Sequence, residues 1–182
     1  MELQSLKERI PDYARDLRLN LDAVLNRSSL TPAEAAGAAL AAAFAAKSAP
    51  LVASLRDGSA LDTTHVQAAL TAAALMGMNN AWYPFVDMAA DPELKTVRAE
   101  LRMNAYATHG GVERKSFELY ALAASIVGKC QHCVQSHYKN LRDAGFSTLR
   151  LRDVGRIAAV VNAVAQVLAV ERIETQEPVA AE

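Results

Sequence analysis

Aromatic side chains are scarce in this chain, at 5% of 182 residues, and only two cysteines, six prolines and eight glycines occur. Two cysteines cannot frame a disulfide-stapled secreted miniprotein. Neither sign of charge is in excess: 19 Lys and Arg stand against 20 Asp and Glu, a formal net charge of −1, with no block of like charge. Nucleic acid and an anionic membrane are therefore not expected as partners. The longest weakly polar run, Ala35 to Ala46, ends at Lys47 and is too short to cross a bilayer. Met1 to Glu8 lacks the apolar stretch of a signal peptide, so a cytoplasmic protein is expected. In a reducing cytosol, pairing of the two cysteines should be transient, catalytic or sensory. No alternation of β-branched residues suggests a strand, and no Gly-rich phosphate-binding turn follows one, so no bound cofactor, flavin or metal is expected.

What is abundant is alanine, about a fifth of the residues, far above ordinary usage and suited to helices in close contact. A chain of this length can bury roughly 70% of the surface its unfolded form exposes, enough for one core without staples. The expected fold is an all-α, single-domain multi-helix bundle over residues 1–170, with a frayed tail over 171–182.

Capping residues and breakers place the helices. A first segment runs from about Leu3 to Leu25, interrupted by Pro11 or restarted on it, with Leu17, Leu21 and Leu25 on one face. Thr31-Pro32-Ala33-Glu34 combines a capping box with proline at the first helical position, opening a helix that ends near Lys47. Pro50 opens a short segment closing at Gly58. Asp62 or Thr63 caps a helix running towards Asn80, and Asp91-Pro92-Glu93 marks another start. After Gly110-Gly111 come a helix from about Glu113 to Val127, a break at Gly128, a helix from Cys130 to Ala144 stopped by Gly145, and a last long helix capped by Ser147.

The two halves carry matches that fit either a degenerate internal duplication or a chance likeness between alanine-rich helices. Leu40-Ala41-Ala42 with Lys47-Ser48 matches Leu122-Ala123-Ala124 with Lys129-Cys130 at one offset, and Leu55-Arg56-Asp57 resembles Leu141-Arg142-Asp143 about one turn out of step. On that alignment Ser48 and Leu51 stand where Cys130 and Cys133 do, and only the second copy carries chemistry.

That chemistry lies between Glu118 and His137, a stretch that holds both cysteines and two of the four histidines. Cysteines three apart at a helix start lie on neighbouring turns of one face, within reach of a disulfide that opens with little backbone movement. Unpaired N–H groups in the first turn stabilise a thiolate there, whichever sulfur carries it. His137, four residues after Cys133, lies one turn below that sulfur and can exchange a proton with it, and Glu118 on the preceding helix can orient and charge the imidazole. A thiolate attacking a disulfide or peroxide needs such a proton partner within reach.

Other readings of the same residues stand beside this one. Haem attachment requires His directly after the second cysteine, where Val134 stands. Zinc could draw on Cys130, Cys133 and His137, with His132, His65 or His109 as fourth ligand, but there is no second C-x-x-C. A non-enzymatic redox sensor or zinc-stabilised interaction module needs the same thiols without turnover. Tyr120 and Tyr138, near the site in sequence, read as packing, as do Met76 and Met78. Trp82 with Phe85 reads as an anchor in the core or between subunits. Lys7, Arg150 and Arg152 read as solvated charge.

Glu118, Cys130-Gln131-His132-Cys133 and His137, in an alanine-rich helical chain of this length, resemble the AhpD alkyl hydroperoxidase family of the carboxymuconolactone decarboxylase-like superfamily. The resemblance spans nearly the whole chain, and the E-x(11)-C-x-x-C-x-x-x-H spacing is its most specific part. It implies an all-α homotrimer with weak peroxidase activity towards alkyl hydroperoxides, which reduces the oxidised peroxiredoxin AhpC. Electrons would come from dihydrolipoamide as an external donor, on a lipoyl-bearing acyltransferase recharged by lipoamide dehydrogenase. By the same resemblance Cys133 is the sulfur that becomes oxidised and joins the partner, Cys130 is the proton donor and second half of the disulfide, and Glu118, His132 and His137 form a relay. A decarboxylase or lactone-processing enzyme of the same superfamily is the alternative, and it has no need of paired thiols.

Overall fold

The computed structural model describes residues 3–58 and 61–171, so most of the expected frayed tail lies outside the described residues. Nine α-helices and two single 3-10 turns, with no strand, make up the described residues: α1 (Leu3–Glu8), α2 (Arg15–Asn26), α3 (Pro32–Ala45), α4 (Ala49–Gly58), α5 (Thr63–Ala89), α6 (Asn104–Ala107), α7 (Arg114–Val127), α8 (Gln131–Asp143) and α9 (Thr148–Val170). The protein is an all-α, single-domain bundle, as its composition implies.

Alanine determines how tightly the centre closes. Ala35, Ala38, Ala39 and Ala41 to Ala43 of α3 are fully or almost fully buried, and so are Ala121, Ala123 and Ala124 of α7. Side chains this small let α3, α5 and α7 pack directly on one another, and α9 on α3 and α7. At Gly37 the close approach is absolute, since a Cβ there would lie 2.2 Å from the Tyr120 ring. α9 is long and apolar enough to span a bilayer by length and composition. In the fold its apolar stripe, Val154, Ile157, Val161, Val164 and Leu168, is buried against α2, α3 and α7.

The starts of α3, α5 and α9 follow their capping signals. Thr31 and Glu34 form the capping box at α3, while Asp62 and Ser147 accept from His65 N–H and Arg150 N–H at the starts of α5 and α9. Pro11 breaks the first segment: the chain passes through a 3-10 turn at Asp12–Ala14 before α2 begins. Two expectations about the chain between residues 80 and 103 fail. α5 does not stop near Asn80 but runs to Ala89 with Pro84 inside it. There Tyr83 stacks on His132 of α8 and Trp82 contacts Phe85, so tertiary contact outweighs the lost backbone bond; Phe85 itself is exposed. Asp91 accepts from Glu93 N–H as a cap would, yet no helix follows, because no residue from Asp91 to Met103 is fully buried and an isolated turn has no packing to sustain it.

The turns at the two matched positions share a pattern of backbone bonds, one that also recurs where α8 gives way to α9 and so marks a common way of ending a helix. In the α3–α4 turn Ala46 N–H donates to Ala42, Lys47 to Phe44, Ser48 to Ala43 and Val52 to Ser48; in the α7–α8 turn Gly128 donates to Ala124, Lys129 to Ile126, Cys130 to Ser125 and Val134 to Cys130. Lys47 and Lys129 even share a left-handed conformation, with φ of 58° and 56°.

Charge ties the outer helices to this core. Lys7 and Arg150 are not free solvated charges: Lys7 pairs with Asp22 at 2.7 Å, and Arg150 lies over Phe146 and pairs with Glu34. Asp153 of α9 is buried and accepts from both the backbone N–H and the hydroxyl of Ser29, at 2.7 and 2.8 Å, and from Arg152 and Arg156. Burial opposes its charge, but the Ser29 and arginine donors outweigh burial and hold its pKa well below the ordinary 3.8. A depressed carboxylate pKa stabilises the fold above the unfolded value, and that contribution is lost as the pH falls. Asp153→Asn should therefore cost about 1.5–3 kcal/mol at pH 7. In urea unfolding measured from pH 7 downward, the gap to wild type should narrow below about pH 4; a constant gap would show that the carboxylate charge is not what holds Ser29.

Candidate active site

The site begins at the turn between α7 and α8. Gly128 ends α7 against α5, where a Cβ would lie 1.9 Å from Asn80 Nδ2, and that amide donates to Ala124 O at 3.2 Å. Lys129 then takes its left-handed conformation and Cys130 becomes the N-cap of α8, in extended geometry. Cys130 is thus outside the helix it was expected to begin, and Cys133 is inside its first turn. The Cys130 sulfur accepts from Cys133 N–H at 3.2 Å, and the two cysteines are joined in a disulfide with their Cα atoms 5.3 Å apart. Both are buried. The N-terminal end of α8, with unpaired N–H groups and the positive end of its dipole, favours negative charge on these sulfurs once the bond opens.

One turn further along α8, His137 is buried beside Glu118 of α7. His137 Nδ1 lies 2.7 Å from Glu118 Oε2, and His137 Nε2 lies 3.1 Å from Met76 Sδ on α5. The other carboxylate oxygen, Glu118 Oε1, accepts from the Tyr106 hydroxyl and from Asn140 Nδ2 at 3.1 Å, and exposed Arg114 approaches it at 3.7 Å. Burial alone would raise the Glu118 pKa, but its bonds to His137, Tyr106 and Asn140 prevail and the net displacement is downward. The Tyr106 phenol moves up, through its own burial and the carboxylate it faces. An ionised Glu118 assigns the proton of His137 to Nδ1, leaving Nε2 as the nitrogen that can take or release a second one. A cleft of about 480 Å³, walled by Glu113, Arg114, Lys115, Asn140 and Asp143, reaches the edge of Glu118 from solvent.

The structure brings Glu118 and His137 into contact and joins Cys130 to Cys133, but it does not bring His132 to the carboxylate. The His132 ring is exposed and lies flat on Tyr83, with centroids 4.1 Å apart. Tyr120 is a core residue bonded to His65 at 2.8 Å, and His109 packs edge-on to Tyr106. Among the described residues no three His, Cys, Asp or Glu side chains converge as a metal site. Sequence reasoning missed Tyr106 and Asn140, and it took Met76 for packing alone. Asn140 was within reach, being three residues beyond His137 on the same helical face. Tyr106 and Met76 come from other helices and carry no local signal.

A model of the carboxymuconolactone decarboxylase family matches residues 92–173, the stretch containing Glu118, both cysteines and His137. Similar proteins extend the match over nearly the whole chain. The alkyl hydroperoxide reductase AhpD of Rhodospirillum centenum is 44% identical over 173 residues, covering 94% of this chain and 92% of its own. That of a Bradyrhizobium species is 40% identical over the full length of both chains, and that of Coxiella burnetii 41% identical over 93% of this chain and 98% of its own. With identity at this level along nearly its entire length, the chain belongs to the AhpD family.

Proposed function

We propose that this protein is a thiol-disulfide oxidoreductase with alkyl hydroperoxidase activity, and that Cys130 and Cys133 are its working pair. The observation that carries this reading is a buried C-x-x-C disulfide at a helix start, followed one turn later by a histidine already held by an ionised glutamate.

In the proposed cycle, the reduced pair gives up the Cys133 proton towards His137 Nε2, with Glu118 supporting the imidazolium through Nδ1. The thiolate attacks an alkyl hydroperoxide, forming a sulfenic acid on Cys133 and releasing the alcohol with the proton returned. Cys130 then displaces water from that sulfenic acid and closes the disulfide. When the oxidant is the disulfide of the peroxiredoxin AhpC, Cys133 forms a mixed disulfide with it, and Cys130 resolves this to leave AhpC reduced. Dihydrolipoamide, on a lipoyl-bearing acyltransferase, reopens the Cys130–Cys133 bond and becomes lipoamide, which lipoamide dehydrogenase reduces again. The order of attack and the homotrimeric state follow the family resemblance. His132, stacked on Tyr83 at the surface, fits contact with an incoming partner better than proton transfer to Glu118.

Lipoamide-dependent NADH oxidation with added lipoamide dehydrogenase and peroxide tests the dithiol. Cys130→Ser and Cys133→Ser should each remove catalytic turnover, and His137→Gln should slow it by about 10²–10⁴, the usual contribution of a positioned acid–base group. Full turnover in either serine variant would transfer the site to acid–base chemistry of the decarboxylase kind. Oxidised AhpC discriminates between the sulfurs. Cys130→Ser should accumulate a mixed disulfide that resists resolution, visible on non-reducing gels, and Cys133→Ser should not; the reverse pattern would make Cys130 the attacking residue.

A further inference from the structure

α6 is four residues long and none of them is fully buried. Its backbone lies against α5 and the adjoining 3-10 turn at His109–Gly111, and its half-buried Tyr106 packs on the core. The Tyr106 ring meets Phe117 edge-on at 5.6 Å, but the hydroxyl reaches past that packing to Glu118 Oε1. Asn140 donates to the same oxygen from the opposite helix, α8. Two donors on Oε1 leave Oε2 as the oxygen committed to His137.

The geometry points to Tyr106 as a positioning residue for the dithiol chemistry, one that with Asn140 fixes the Glu118 carboxylate and so sets how tightly the Glu118–His137 pair holds its proton. This rests on the oxidoreductase reading and adds to it a part that touches neither sulfur nor substrate. Each donor spreads the carboxylate charge and weakens the pull of Glu118 on the imidazolium. Loss of a donor makes the pair more basic, so that His137 keeps its proton to higher pH and is less available to accept one from Cys133. Other charges face the pair without replacing these donors. Arg114 is exposed and 3.7 Å from Oε1, His109 packs edge-on to the Tyr106 ring, Glu113, Lys115 and Asp143 line the open cleft, and from α5 the Met76 thioether meets His137 Nε2.

Tyr106→Phe keeps the ring and its packing on Phe117, and Asn140→Ala removes the second donor independently. The experiment has two readouts on each folded variant: the pH profile of kcat/KM with peroxide and lipoamide, and the titration of the His137 imidazole followed by NMR in the reduced protein. In Tyr106→Phe both the acid limb and the His137 midpoint should move upward by about one pH unit, the scale of one hydrogen bond to a charged group. Activity should fall on the acid side, by up to about tenfold at pH values well below both midpoints, and recover towards wild type in alkali. Asn140→Ala should move both in the same direction. A uniform loss at every pH with an unmoved His137 midpoint would reduce Tyr106 to packing and overturn the assignment. If wild type itself shows no turnover, the oxidoreductase reading fails, and the His137 titration still decides whether Tyr106 sets the proton affinity of the pair.

Discussion

A carboxylate almost removed from water is the constraint around which this protein is arranged. Glu118 is 2% exposed and ionised, and a charge in that position is costly unless every lone pair finds a donor. The donors come from three separate helices: the Tyr106 hydroxyl from α6, His137 and Asn140 from α8, and the outlying Arg114 from α7 itself. Meeting that demand fixes α8 against α7 and orients His137 by the bond that assigns its tautomer. The proposed sulfur chemistry and the local architecture therefore depend on the same group.

The two matching turns separate scaffold from chemistry. Both turns cross from one helix to the next through a left-handed lysine and the same pattern of backbone bonds. In the first, Ser48 and Leu51 are buried side chains in an apolar setting; in the second, the corresponding positions hold the disulfide. A backbone that brings positions three residues apart together at a helix start is thus a property of the turn. The proposed redox function depends on the residue types, and the Glu118–His137 pair lies beside the second turn.

Much of the bundle was readable because its signals are local. A capping box, an Asp or Ser before a helix and a glycine after one act within a single turn of chain, so Thr31, Asp62, Ser147 and Gly145 mark boundaries with little help from elsewhere. Reading failed where distant contacts decide. Pro84 sits inside α5 because the helix beyond Asn80 is held by the Tyr83–His132 stack, and Asp91 caps no helix because nothing there is buried. Arg150 reads as solvated charge until Glu34 and Phe146 are brought beneath it by the fold.

The same division runs through the site. Sequence alone determined the disulfide-competent spacing of Cys130 and Cys133 and the placement of His137 one turn below, because a helix converts those intervals into distances by its pitch. Only the tertiary structure decided that His132 lies apart from Glu118, that Tyr106 and Asn140 share one carboxylate oxygen, and that Met76 faces the free nitrogen of His137. Those contacts join helices far apart in sequence. Their existence depends on how the alanine faces of α3, α5 and α7 close on one another, which no local pattern of residues encodes.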